Sequence, residues 1–264
     1  MLEMPPLGQG TWHLGERGAD RAAEANALRL GIDLGMTLID TAEMYADGGS
    51  EEVVAAAIAG QRGRVTLVSK AYPQNAGRRS LPAACERSLQ RLGTDHLDLY
   101  LLHWPGGTPI EETIEAFERL VTAGKIGAWG VSNFDLTGME TLPAGCSATQ
   151  LLYNLGSRGI EFDLLPWCRA RGLPVMAYSP VGQGGALLRS RALATVAGRH
   201  GATAAQIAIA WTLQEGVVSI PKAADPAHVR ANAAAAGIRL TQEDFATLDA
   251  GHPPPRRRQP LDML

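Results

Sequence analysis

The sequence predicts an α/β fold: a single (β/α)8 barrel of the TIM type, with eight parallel strands inside an outer ring of helices. Three observations carry that prediction. Short, nearly continuous apolar runs alternate with amphipathic segments over residues 7–248, the pattern of parallel strands covered by helices on both faces. Eight such strand–helix units fit into 264 residues, close to the usual size of the closed barrel. No linker rich in Ser, Gly or Pro divides the chain, so residues 1–250 read as one domain and 251–264 as a Pro/Arg-rich tail. The open-sheet alternative wants G-x-G-x-x-G after its first strand, and Gly8-Gln9-Gly10-Thr11-Trp12-His13 lacks the third glycine.

The elements follow in order. Residues 7–11 give the first strand, and 20–34 a helix with Ala23, Ala27, Leu30 and Leu34 on one face. Strand 37–40 comes next. Ser50 is expected to cap a helix reaching about Ala59, with Glu51 and Glu52 in its first turn. Strand 65–70 precedes helix 78–92, whose inner face is Leu81, Cys85, Leu89 and Leu92 and which stops at Gly93. Strand 97–103 precedes a helix with Ile110, Ile114, Phe117 and Val121 inward, ended by Gly124. The second half repeats the rhythm. It gives strand 126–131, a short helix after Asp135, strand 148–152, helix 162–171 and strand 174–178. A loop with Gly182, Gly184 and Gly185 leads to helices 188–199 and 203–214, strand 217–220, helix 226–236 and a last helix over 242–248.

Bulk properties exclude several classes. With 24 basic and 27 acidic residues the formal charge is −3, so no basic field points to nucleic acid or acidic lipid. Arg256-Arg257-Arg258 after Pro253-Pro254-Pro255 reads as solvated charge. Cys85, Cys146 and Cys168 form no CxxC, which argues against a disulfide framework or a metal site and for reduced thiols. Met1-Leu2-Glu3-Met4-Pro5-Pro6 has no leader pattern, and no uncharged run approaches the ~18 residues that cross a bilayer. A cytoplasmic monomer is the expectation.

Three consecutive strand candidates finish on chemistry. One ends at Asp40, the next at Lys70 and the third at His103, with Tyr45 just past the first. In a parallel barrel the strand tips share one rim, where active sites lie, and alternation puts Asp40 with Leu38, Lys70 with Val68, and His103 with Leu101. A buried ammonium needs a partner, and Asp40 provides it. An ammonium ~4 Å from the Tyr45 oxygen favours phenolate by ~4 kcal/mol at an effective dielectric near 20. That is about three pKa units, which would bring the phenol toward neutrality. Such a phenol is a good proton donor to a carbonyl oxygen, with His103 orienting the carbonyl or sharing the proton. Taken singly, Asp40 reads equally as a loop cap, Lys70 as a surface lysine, Tyr45 as a rim aromatic and His103 as a core histidine. The joint placement favours chemistry.

Asp40-Thr41-Ala42-Glu43-Met44-Tyr45, Lys70 after a strand, and Leu101-Leu102-His103-Trp104 resemble the active-site segments of the aldo-keto reductases. The resemblance runs from Leu7-Gly8-Gln9-Gly10-Thr11-Trp12 to about Leu248, and implies Tyr45 as general acid, Lys70 and Asp40 as its tuning pair, and His103 as orienting group. It also implies a nicotinamide cofactor that delivers hydride to an aldehyde or ketone. Ser132, Asn133 and Gln150 match the residues that hold the carboxamide, Tyr178 the ring on which the nicotinamide stacks, and Ser179 with Val181-Gly182-Gln183-Gly184 the pyrophosphate loop. Thr11 and Trp12 lie at the same end of the cofactor site, and Trp12, Met44 and Trp104 line the substrate site. In Ile220-Pro221-Lys222-Ala223 the family's Ser or Thr is Ala223, its Arg is His228, and its acid before Asn232 is Ala231. Lys222 and Asn232 match, and Arg230 is the expected substitute phosphate ligand. Imidazole grips phosphate less well than a guanidinium fork, so NADPH is expected over NADH by a reduced margin. The ends look short: little room for a hairpin before Leu7, and substrate loops reduced to the tail. That implies an open site for a broad range of small aldehydes. Two rival readings use parts of the pattern. Lys70 could be the Schiff-base nucleophile of an aldolase, or the chain could be a nicotinamide-binding regulatory subunit with little turnover.

Overall fold

Eight strands pair in chain order and close on themselves. In the computed structural model, which describes residues 4–264, the strands are β1 (Gly8–Gly10), β2 (Leu38–Asp40), β3 (Thr66–Ala71), β4 (Leu97–Leu102), β5 (Ile126–Ser132), β6 (Thr149–Leu152), β7 (Val175–Tyr178) and β8 (Val218–Ser219). All neighbours are parallel, and Leu7 beside Ser219 with Gly10 beside Lys222 completes the ring. The absence of a leader pattern rests partly on Met1, Leu2 and Glu3, which lie outside the described residues. Among the described residues no helix is long and apolar enough to cross a membrane.

Alternation along the strands separates two cores. Leu38, Val68, Leu99, Leu101, Met176 and Ile220 fill the barrel, and Met4 packs against them. Ile39, Leu67, Tyr100, Leu102, Val131 and Leu151 point outward to the helices. The register is stepped: Gly10 pairs with Asp40, Asp40 with Val68, and Lys70 with Leu101. Gly10 is thus level with Asp40, whereas Lys70 stands two residues, or roughly 7 Å, beyond Asp40, and His103 two residues beyond Lys70. This stagger decides how the site is assembled.

The helices are α1 (Arg21–Asp33), α2 (Gly49–Ile58), α3 (Ser80–Leu92), α4 (Ile110–Thr122), α5 (Leu136–Glu140), α6 (Leu164–Ala170), α7 (Arg191–His200), α8 (Ala204–Gln214), α9 (Pro226–Ala235) and α10 (Gln242–Gly251). The inner face of α3 and its left-handed Gly93 stop are as expected. Two faces are rotated from expectation. In α1 the buried residues include Ala25, Ala27, Leu28, Gly31 and Ile32, with Leu34 exposed, because the helix wedges between α2 and α9 as well as onto the strands. In α4 Thr113, Ala116, Phe117 and Leu120 are buried, and Ile110, Ile114 and Val121 sit at the edge of the contact. Ser50 is not a cap. The turn into α2 is made by Gly48 at a φ of 89°, and Ser50 lies inside the helix with its hydroxyl 2.7 Å from that of Thr11.

The tail is not free in solvent. Arg158 donates to the carbonyl of His252 at 2.5 Å, Arg258 pairs with Asp163 at 2.8 Å, and Leu261 packs on the outer core. Arg256, Arg257 and Arg258 are all exposed. The chain then returns over the C-terminal rim of the barrel.

Gly130 marks a point where two strands come too close for a side chain. A Cβ there would lie 2.3 Å from the carbonyl oxygen of Ala148 and 2.9 Å from Leu101. Gly130→Ala is expected to lower stability by about 1–3 kcal/mol, the usual cost of overpacking, read as a fall in the urea midpoint at unchanged slope.

Candidate active site

The stepped register puts Lys70 above Asp40, and the length of the lysine side chain closes the gap. Its Nζ donates to Asp40 Oδ2 at 2.8 Å, to the carbonyl of Thr41 at 2.8 Å and to the Tyr45 hydroxyl at 3.1 Å. All three ammonium donors are engaged, in a side chain with no exposed surface. Burial pulls the Lys70 pKa down, but the charge of Asp40 and the Tyr45 oxygen outweigh it, and the net shift is upward. The ammonium is therefore permanent in the physiological range.

Tyr45 departs from the sequence argument in one respect. Burial raises its pKa more than Lys70 lowers it, and Asp40 adds to the rise, so the net shift is upward rather than toward neutrality. The distance argument had the geometry right and omitted the desolvation of the phenolate. His103 lies 5.7 Å from the Tyr45 ring, centroid to centroid and nearly perpendicular. Burial, helped by the charge on Lys70, lowers its pKa to about 2, so the ring is neutral and can orient a carbonyl but not act as imidazolium. Its Nδ1 is buried without a partner.

The remaining polar residues tie the rim together. Gln150 Nε2 donates to Asp40 Oδ1 at 2.7 Å, across the barrel from β6 to β2. Asn133, held at a φ of 61° just after β5, donates to the His103 carbonyl at 3.1 Å and to Ser132 Oγ at 3.2 Å. It accepts the Tyr178 hydroxyl at 2.9 Å. Burial pushes the Tyr178 phenol up to about 12. Thr11 is fully buried, its hydroxyl bonded to the Asp40 carbonyl and to Ser50, so it supports the rim from below.

Two connected spaces open on this rim. A cleft of about 710 Å³ runs from Asp40, Tyr45, Trp12 and Tyr178 past Ser179 and Gly184 to Lys222, His228 and Asn232. A chamber of about 80 Å³ is bounded by Trp12, Met44, Tyr45, His103, Trp104, Ser132, Asn133, Gln150 and Tyr178. The three residues read from the sequence as a substrate wall thus meet. Two expected cofactor contacts do not face the cleft: Gly182 abuts Leu187, and Arg230 is exposed on α9 outside the lining, where His228 and Ala231 stand instead. Others went unread. Thr203 caps α8 in a capping box with Gln206 and lines the cleft with Ala205; the Thr-x-x-Gln spacing was the available signal. Met263 and Leu264, themselves exposed, also line the chamber, so the tail contributes to its wall. Among the described residues no group of acidic, His or Cys side chains could hold a metal.

Comparison with known proteins agrees with this geometry. Residues 6–252 match the model of the aldo/keto reductase family. The chain is 51% identical to the methylglyoxal reductase YeaE of Escherichia coli over all of its own length and 96% of the relative. It is 35% identical to a glyoxal reductase of Bacillus subtilis, over 94% of this chain and 89% of that one. A crystal structure of an aldo/keto reductase from Klebsiella pneumoniae in complex with NADP and acetate superposes with a TM-score of 0.96 at 52% identity, covering 98% of this chain and 95% of that one. The stepped Asp–Lys–His rim, the tyrosine above it and the matched length lead to one conclusion: this chain belongs to the aldo/keto reductase family.

Proposed function

We propose that the protein is an NADPH-dependent reductase of small aldehydes, with 2-oxoaldehydes as its preferred substrates and Tyr45 as the proton donor. The observation that carries the reading is the Lys70 ammonium 3.1 Å from the Tyr45 oxygen, on the wall of a chamber of only about 80 Å³. The names of the E. coli and B. subtilis relatives support the substrate class, and the NADP-bound Klebsiella structure supports the cofactor.

The residues present fit a nicotinamide dinucleotide. The cleft is long, meets Tyr178 at the chamber end, and carries the cation Lys222 with His228 and Asn232 at the other. Gly184, at a φ of 72°, exposes backbone where a phosphate would approach. Ser132, Asn133 and Gln150 would hold the carboxamide, Tyr178 the ring, and Lys222 with His228 a 2′-phosphate. When bound, the cofactor supplies a hydride to the carbonyl carbon. Tyr45 gives its proton to the carbonyl oxygen, and Lys70, already fixed by Asp40 and Thr41, stabilises the phenolate left behind without reorganising. Neutral His103 orients the carbonyl. Lys70 is a poor Schiff-base nucleophile, because its amine is held protonated with every donor engaged. A regulatory role without turnover makes no use of the proton-bearing Tyr45.

Tyr45→Phe is expected to lower kcat for methylglyoxal by about 10²–10⁴-fold, the usual worth of a positioned acid, with the NADPH Kd held; an unchanged rate removes Tyr45 from the chemistry. Because the phenol pKa is raised, the acid stays loaded as pH rises through neutrality and is lost only above its ordinary value near 10. The rate of carbonyl reduction should accordingly stay level across pH 6–9 in a stopped-flow series, with no acid limb from His103. Lys222→Ala should weaken NADPH about ten-fold or more, the worth of a charged hydrogen bond, and leave NADH unchanged in fluorescence titrations.

A further inference from the structure

We propose that Glu43, which lines neither the chamber nor the cleft, fixes the chamber wall and so sets which carbonyls fit. The proposal rests on the reductase reading and deepens it. Glu43 is nearly buried, at 8% exposure, and its backbone N–H is bonded to the Lys70 carbonyl at 3.3 Å. Its Oε1 accepts the backbone N–H of Tyr72 and the side-chain amide of Asn75, both at 2.8 Å. Its Oε2 lies 3.7 Å from Arg87, which is half exposed. A carboxylate in such a place is held by what it accepts. It therefore staples the loop that carries Tyr45 to the turn Pro73–Asn75 that follows β3.

That turn supports the chamber from behind. The Tyr72 ring meets Trp104 edge-on at 5.9 Å and 89°, Trp104 leans on His103 at 4.8 Å, and His103 faces Tyr45 at 5.7 Å. Tyr45 is two residues from Glu43, so the contacts form a closed ring around the carbonyl site, and the carboxylate is the link joining its two loops. The chamber is about 80 Å³. A small outward movement of Trp104 changes a large share of it, and packed walls move between discrete arrangements rather than yielding evenly. Glu43 acts through Tyr72 and Trp104; it is a positioning residue.

The test compares Glu43→Ala, Glu43→Gln and Tyr72→Leu with saturating NADPH, using methylglyoxal and the bulkier phenylglyoxal. Glu43→Ala should raise the KM for methylglyoxal about ten-fold with kcat nearly held, the signature of lost ground-state positioning, and shift preference toward phenylglyoxal. Glu43→Gln keeps the accepting oxygen and should restore wild-type behaviour. Tyr72→Leu should copy Glu43→Ala, and the double variant should be no worse than either alone, because one ring of contacts is cut twice. A Gln variant as impaired as Ala, a silent Tyr72→Leu, or an NADPH Kd that rises with the KM would each overturn the proposal. If Glu43→Ala fails to fold, Tyr72→Leu alone carries the comparison. If the wild type reduces no carbonyl, the reductase reading falls. The wall is then read from the Trp104 indole N–H resonance, identified with Trp104→Phe: it must move in Glu43→Ala or Tyr72→Leu and return in Glu43→Gln.

Discussion

A lysine with no exposed surface is the constraint around which the rest is arranged. Removing an ammonium from water costs several kcal/mol even after relaxation, and Lys70 recovers that only by giving each of its donors an acceptor: Asp40, the Thr41 carbonyl and Tyr45. Those acceptors come from the preceding strand and its loop. The two-residue step between β2 and β3 sets the height at which an extended lysine can fold back onto them. A register slip would turn the ammonium toward the helices and leave the carboxylate alone in the barrel. Gln150 supports the same carboxylate from the opposite wall, so four elements converge on one charge.

Much of this was legible in the sequence, for reasons that can be named. Parallel strands alternate strictly, so residues at strand tips declare their face, and the sequence places Asp40, Lys70, His103 and Tyr45 together. What escaped was not local. The acidity of Tyr45 depends on a balance between the Lys70 charge and the enclosure of the phenol, and enclosure is set by the whole rim. Helix faces in α1 and α4 were ambiguous because neighbouring helices, as well as the sheet, take a share of the apolar surface. Ser50 looked like a cap by composition, but Gly48 takes the left-handed turn and frees the serine to support Thr11.

The adenosine end offers a different lesson. Positions 228, 231 and 232 lie on one face of α9 at helical spacing, whereas 230 falls nearly opposite 228. Arg230 accordingly stands exposed outside the cleft, whose lining there is His228, Ala231 and Asn232. The tail carries no such period. Its position depends on Arg258 meeting Asp163 and on Leu261 finding the core, contacts between segments far apart in the chain.

Because Met263 and Leu264 line the small space in front of Tyr45 while keeping much of their own surface in solvent, peptide fused after Leu264 would begin at the wall of that space. An affinity handle placed there starts beside the chemistry it is meant to help study.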